Sequence, residues 1–224
     1  MTFPINSKLP KPQVLYKPHK KGNSDFFDNL ALSQKEKQQL RKDIQLLQVT
    51  HQLNETNLNI PAGKLVQHLF VIEVVLTGES FDSQLLEQLD SRLAIYAIYQ
   101  LSYPDGHQSY LVNYKEPLTQ EKDGKKFKII RTFQNDHLEL VLTGLTLDNF
   151  YDQLVKRVAS DKLADTSSNV GQAIALTEQI KKLEKEAERL KKKMFAAKSM
   201  RQQMDYKKAR QQVLADLEQL KQTK

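Results

Sequence analysis

The chain has 224 residues, no Cys, no Trp, 39% hydrophobic residues, and 34 Lys+Arg against 27 Asp+Glu for a net charge of +7. That length suits one domain with an appendage or two small units. The absence of Cys excludes disulfides, thiol catalysis and Cys-ligated zinc, and 7 Gly leave no glycine-rich phosphate loop.

No apolar run approaches the roughly 20 residues that span a bilayer. Pro4, Lys8, Pro10, Lys11 and Pro12 interrupt any apolar leader, so a soluble cytoplasmic protein is expected. Residues 1–28 lack helical periodicity and predict an extended arm with one short strand, Gln13–Tyr16. Ser33-Gln34-Lys35-Glu36 is a capping box that starts a helix with the stripe Leu40, Ile44 and Leu47. Residues 45–52 alternate, so where that helix gives way to strand is open. Asn54–Gly63 is turn-rich.

Leu69–Leu76 is nearly continuously apolar and β-branched and stops at Gly78, the pattern of a strand buried on both faces. Asp82 caps a short helix bearing Leu85, Leu86 and Leu89. Ala94–Tyr103 predicts a second buried strand, Pro104-Asp105-Gly106 a turn, and Ser109–Tyr114 the returning partner. Lys125–Phe133 alternates as a further strand, Leu138–Leu142 is a candidate last strand, and Asp148–Val158 is an amphipathic helix. The order predicts an α+β body over residues 1–160, a small mostly antiparallel sheet with helices on one face.

Residues 161–171 are small and polar and predict a linker. Beyond it, from 172 to the end, the pattern is helical. Ala173, Leu176, Ile180, Leu183, Ala187, Leu190, Met194 and Ala197 recur at alternating spacings of three and four, a coiled-coil seam. Tyr206, Ala209, Val213, Leu217 and Leu220 continue it after a phase shift, so an antiparallel hairpin is expected rather than one continuous rod.

The charge is local. Residues 169–224 hold 14 basic and 7 acidic residues, whereas 1–168 hold 20 of each. Arg189, Lys191, Lys192, Lys193, Lys198, Arg201, Lys207, Lys208 and Arg210 stand against one acid, Asp205. A smaller cluster, Lys8, Lys11, Lys17, Lys20 and Lys21, lies at the N-terminus. A hairpin would gather the larger cluster at its tip, where it could neutralise phosphates with salt-dependent, sequence-neutral affinity. An acidic protein partner or plain solvation would use the same charges. Membrane binding is not expected, because the seam uses the apolar residues for helix pairing.

Catalytic patterns are sparse. The five His (His19, His51, His68, His107 and His137) form no ligand pair, so no metal and no cofactor are expected. A Gly-x-Ser-x-Gly elbow is absent. A magnesium-dependent nuclease would need converging carboxylates, for which Glu73, Asp82 and Asp90 are the candidates. Val75 stands where such a core carries Lys, and Asp82 is read more simply as a helix cap. Tyr96, Tyr99, Tyr103, Tyr110 and Tyr114, with Arg92 and Lys115 nearby, could stack bases. Cross-strand aromatic pairing is the simpler account, since Tyr96 and Tyr99 take opposite faces of a strand.

Several pieces together resemble a known family. They are Leu9-Pro10-Lys11, Asn59-Ile60-Pro61-Ala62-Gly63, Phe70-Val71-Ile72-Glu73-Val74, Leu89-Asp90, Val112-Asn113-Tyr114-Lys115-Glu116, Leu142-Thr143-Gly144-Leu145 and the charged helical pair. The family is a bacterial and archaeal one of unknown function, often encoded beside type III-like restriction helicases and DNA methyltransferases. Ser91-Arg92-Leu93-Ala94 stands where its pattern has a Pro-containing step. The resemblance implies a defence role without naming a mechanism. A non-catalytic accessory subunit is therefore expected, with a helicase or methyltransferase as partner and nucleic acid contacted by the basic hairpin. The alternatives are the nuclease and a structural coiled-coil oligomeriser pairing through Leu176, Ile180, Leu183, Leu190, Met194, Val213, Leu217 and Leu220.

Overall fold

The computed structural model describes residues 3–19, 21–164 and 169–222; for residue 222 it describes the backbone alone. Lys20 and residues 165–168 of the expected linker lie outside the described residues. The chain divides into two compact units, Met1–Ser160 and Asp161–Lys224.

The first unit is built on a six-stranded sheet whose spatial order follows the sequence: β1 (Lys8–Tyr16), β2 (Ile44–Asn54), β3 (His68–Leu76), β4 (Tyr96–Ser102), β5 (Gln108–Lys122) and β6 (Lys125–Asn135). Every neighbouring pair is antiparallel except β3 and β4. That parallel pair needs a crossover, supplied by α4 (Gln84–Arg92). The fold is thus α+β with a mostly antiparallel sheet. β3 and β4 hold its two central places, which is why their sequences are almost wholly apolar.

Two helices precede β2. These are α1 (Asn23–Asn29) and α2 (Gln34–Asp43), and the short α3 (Glu55–Leu58) follows it. One buried cluster joins Phe27 of α1, Leu40 of α2 and Leu85, Leu86 and Leu89 of α4 to Leu47, Ile72, Val74, Tyr99 and Leu111 of the strands. The strand residues of alternate parity, Leu69, Val71, Ile98, Val112 and Phe133, are buried as well. The last helix of this unit, α5 (Leu147–Ala159), packs on β3, β5 and β6. The helices therefore divide between the faces, α1, α2 and α4 on one and α5 on the other.

Several boundaries differ from expectation, each for a physical reason. The capping box at Ser33 and Glu36 forms, but the helix stops at Asp43, and Ile44 and Leu47 enter β2. Pairing on both edges of β2 outweighs the helical spacing of those residues. The arm strand is β1, nine residues long, because β2 offers it a full-length edge; Pro10 and Pro12 suit an outermost strand. Asn23–Asn29 is helical where no helix was expected; seven residues are too few to display a period. Leu138–Leu142 forms no strand; Leu138 alone of that segment is buried. The Pro104–Gly106 turn forms as read, with Gly106 at φ +86°.

The Asn59–Gly63 segment has a specific task. The Asp148 carboxylate, in the first turn of α5, accepts hydrogen bonds from the amides of Lys64, Leu65 and Val66 at 2.7, 3.1 and 2.7 Å. A Cβ on Gly63 would collide with that carboxylate. The loop entering β3 is thus locked to the helix following β6. Asp148→Ala should cost about 1–2 kcal/mol, since the freed amides are partly solvated. Hydrogen exchange should quicken at residues 64–66, and unchanged exchange there would refute the clamp.

Candidate functional site

Each unit offers one feature beyond ordinary packing. In the first it is a buried polar cluster. Asp90, in the last turn of α4, and Lys115, on β5, form an ion pair at 2.8 Å with both side chains wholly enclosed. Lys115 Nζ also donates to the carbonyl of Ile95 at 2.7 Å and lies 4.5 Å from the centroid of the Phe127 ring. Asp90 accepts from the Tyr99 hydroxyl at 2.6 Å and from Asn113 Nδ2 at 3.1 Å. Thr132 Oγ1 stands 2.7 Å from Asn113 Oδ1 and 2.6 Å from Glu87 Oε1. From the opposite face, the Tyr151 hydroxyl donates to the Asn113 carbonyl at 2.6 Å.

Burial pushes the Lys115 ammonium below its ordinary 10.5, and the Asp90 carboxylate works against that fall. Burial, reinforced by the Asp90 charge, pushes the Tyr99 phenol well above its ordinary value. Tyr96 Oη is buried with no hydrogen-bond partner among the described residues, and burial is the main reason its phenol is pushed up to about 12.

The cluster is closed to substrate. Asp90 is fully committed to Lys115, Asn113 and Tyr99. Glu73 stands on β3 at the parity opposite Ile72 and Val74, and accepts from Gln48 Nε2 at 2.6 Å across the β2–β3 pair. Asp82 is exposed, and its Oδ1 accepts from the Gln84 amide at 3.0 Å, at the start of α4. The three acids do not converge. Among the described residues no group of three or more His, Cys, Asp or Glu is placed to hold a metal ion.

The tyrosines separate likewise. Tyr99 turns to Asp90, while Tyr96 packs edge-on against Phe127 and Tyr151. Arg92 and Lys115, the cations expected beside a stacking platform, are both buried. Arg92 donates to Glu36 at 3.0 Å and so ties α4 to the capping box of α2.

In the second unit the feature is exposed. α6 (Val170–Ala196), capped by Asn169, and α7 (Met200–Gln222) fold back on each other within one chain. Lys221 pairs with Glu184 at 3.0 Å, and Lys193 lies 5.8 Å from the Tyr206 ring. The turn is Ala197-Lys198-Ser199, without Gly or Pro. Ser199 Oγ accepts from the Gln202 amide at 3.3 Å, and Gln203 Nε2 donates to the Ala197 carbonyl at 3.3 Å.

Ile180, Leu190 and Leu217 are buried along the hairpin, and Leu176, Leu183, Met194, Val213 and Leu220 are half-buried. Arg189, Lys191, Lys192, Lys193, Lys198, Arg201, Lys207 and Lys208 are exposed. Arg210 is half-buried, with Nε enclosed and without a hydrogen-bond partner among the described residues. It occupies the inward phase where Ala209 was expected, and Ala209 faces out.

Sequence reasoning found the basic segment but missed the Asp90–Lys115 pair and the Ser199 cap. The pair joins residues 25 positions apart and leaves no local pattern. Ser199 with Gln202 and Gln203 after it was a usable capping signal.

The molecule is therefore an α+β body with an internally braced polar core, joined in sequence to a basic helical hairpin. The chain belongs to the family described as "Domain of unknown function (DUF4391)", whose model matches residues 19–217. No curated protein and no solved structure matches it. No helix among the described residues is long and apolar enough to cross a membrane.

Lys115→Met should destabilise the first unit by about 3–5 kcal/mol, because it strands a buried carboxylate. Adding Asp90→Leu should recover part of the loss; a double variant as unstable as the sum of the singles would show that the two charges are uncoupled. Burial opposes ionisation of Glu36, yet hydrogen bonds from Ser33 and Arg92 outweigh it and hold the carboxyl below its ordinary 4.5. A lowered carboxyl stabilises above 4.5, and the contribution is lost as pH falls through the folded-state value. Acid unfolding of Glu36→Gln should therefore lack that part of the pH dependence.

Proposed function

We propose that this protein is a non-catalytic accessory subunit of a DNA-processing, restriction-like anti-phage system. Its α+β body docks on a larger helicase or methyltransferase, and its hairpin contacts nucleic acid. The observation that carries the nucleic-acid contact is the turn at Ala197–Ser199. It gathers the basic ends of α6 and α7, with eight exposed Lys and Arg between Arg189 and Lys208 and a single acid, Asp205.

Such a cluster binds phosphates by releasing counterions, without reading sequence. A structural role is supported for the body by its acids: Asp90 is spent on Lys115, and Glu73 and Asp82 lie apart from it. The restriction-like setting and the helicase or methyltransferase partner rest on the family resemblance carried by Leu89-Asp90, Val112–Glu116 and the Asn59–Gly63 turn.

Reversing Lys191, Lys192, Lys193 and Arg201 to Glu should weaken DNA binding at least about tenfold and flatten log Kd against log salt by about three to four units. Fluorescence anisotropy across a salt series measures both. Binding that ignores salt, or an unchanged slope in the reversed protein, would sink the proposal. Affinity capture of the native protein should recover a helicase or methyltransferase.

A further inference from the structure

The hairpin tip carries more than charge. Phe195, in the last turn of α6, and Met200, the first residue of α7, are 73% and 75% exposed, and Met204 is 46% exposed. These apolar side chains flank the turn on both sides, inside the basic stretch. Scattered exposed apolar residues are ordinary. Here, however, three large ones fall within ten residues, and Phe195 and Met200 have only Lys and Arg as charged neighbours in sequence, unlike the mixed charges of the lower hairpin. Beside them is a shallow dimple formed by Lys193, Ala196, Lys198, Ser199, Gln202 and Tyr206.

Phosphate neutralisation needs none of these apolar groups. A duplex presents phosphates outward and keeps its bases stacked. An unpaired nucleotide presents a phosphate and a free π-face together, and aromatic side chains among cations suit that combination.

We propose that the hairpin tip binds nucleic acid with unpaired bases, in single strands or at duplex–single-strand junctions. Phe195 stacks on a base, Met200 packs beside it, and Lys191, Lys192, Lys198 and Arg201 hold the flanking phosphates. The inference rests on the nucleic-acid contact proposed above and specifies its substrate class.

The test uses the full chain with three labelled DNA probes: a short single strand, a blunt duplex of the same sequence and a forked duplex. Anisotropy is read at several salt concentrations, and 2-aminopurine in the unpaired arm reports stacking. The single strand and the fork should bind about tenfold more tightly than the blunt duplex, the order expected for stacking one base. Phe195→Ala should abolish that preference and the 2-aminopurine quenching while leaving the salt slope intact. Phe195→Trp should retain both.

Equal affinity for duplex and single strand, or a preference that survives Phe195→Ala, would overturn this inference and leave the charge-based contact standing. Absence of salt-dependent binding to any probe would remove both. Phosphatidylserine vesicles form the last arm: Phe195-dependent capture on them, with no Phe195-dependent DNA preference, would reassign the tip to an anionic lipid surface. Phe195 is largely exposed, so Phe195→Ala leaves the fold in place.

Discussion

A buried charge must be answered where it sits, and the first unit is arranged around one such answer. Lys115 lies on β5 inside a sheet covered on both faces, where an isolated ammonium would be prohibitively costly. Asp90 meets it at 2.8 Å, and Asn113, Tyr99 and the Ile95 carbonyl take up the remaining hydrogen-bonding capacity. A buried ion pair is weak evidence of stability, because a well-packed apolar pair would often serve as well. Its physical consequence is specification. Asp90 can reach Lys115 only with the last turn of α4 laid against β5, and Tyr99 can reach Asp90 only with β4 in its present register. One pair thereby fixes the placement of the crossover helix between the two parallel strands and the registration of the strands under it.

The same logic recurs in lesser form around the sheet. Asp148 gathers three amides of the loop that leads into β3. Glu36 closes its own capping box with one oxygen and binds Arg92 of α4 with the other. Each of these carboxylates joins elements far apart in the chain and is spent in doing so. This occupies Asp90, Asp148 and Glu36 as fasteners within the fold. It also accounts for the diffuse character of the motifs. Leu89-Asp90, Asn113–Lys115 and Asn59–Gly63 are separate short segments because their partners meet only in three dimensions.

What could be read from the sequence follows the same division. Strands β3 to β6 were legible because burial on one or both faces writes a period of two or a continuous apolar run. The Ser33 capping box was legible because both of its partners lie within one turn. The end of α2 at Asp43 was not, since Ile44 and Leu47 satisfy a helical stripe and a buried strand face equally well. Only the edges of β1 and β3 decide between them. In the sequence Asp90 stood as a candidate carboxylate for a metal and Lys115 as a cation beside a tyrosine platform, because neither carries local notice of the other. The basic segment was visible at once, since charge composition does not depend on folding.

The hairpin handles charge in the opposite way. Its lower half alternates sign: Glu184 pairs with Lys221 across the helices, and Glu186 pairs with Arg189 along α6. Such pairing is how a hairpin solvates its surface with little net cost. Near the turn the acids give out, and Lys191, Lys192, Lys193, Lys198, Arg201, Lys207 and Lys208 stand exposed around three residues without Gly or Pro. Like charges so placed repel one another and work against closing the turn. Exposed Phe195 and Met200 add apolar surface that the hairpin does not bury. Neither feature helps the two helices pair, and both lower the cost of bringing an anion with an apolar face to the tip. The arrangement is unfavourable for the isolated hairpin, which is the physical ground for proposing its contact surface there.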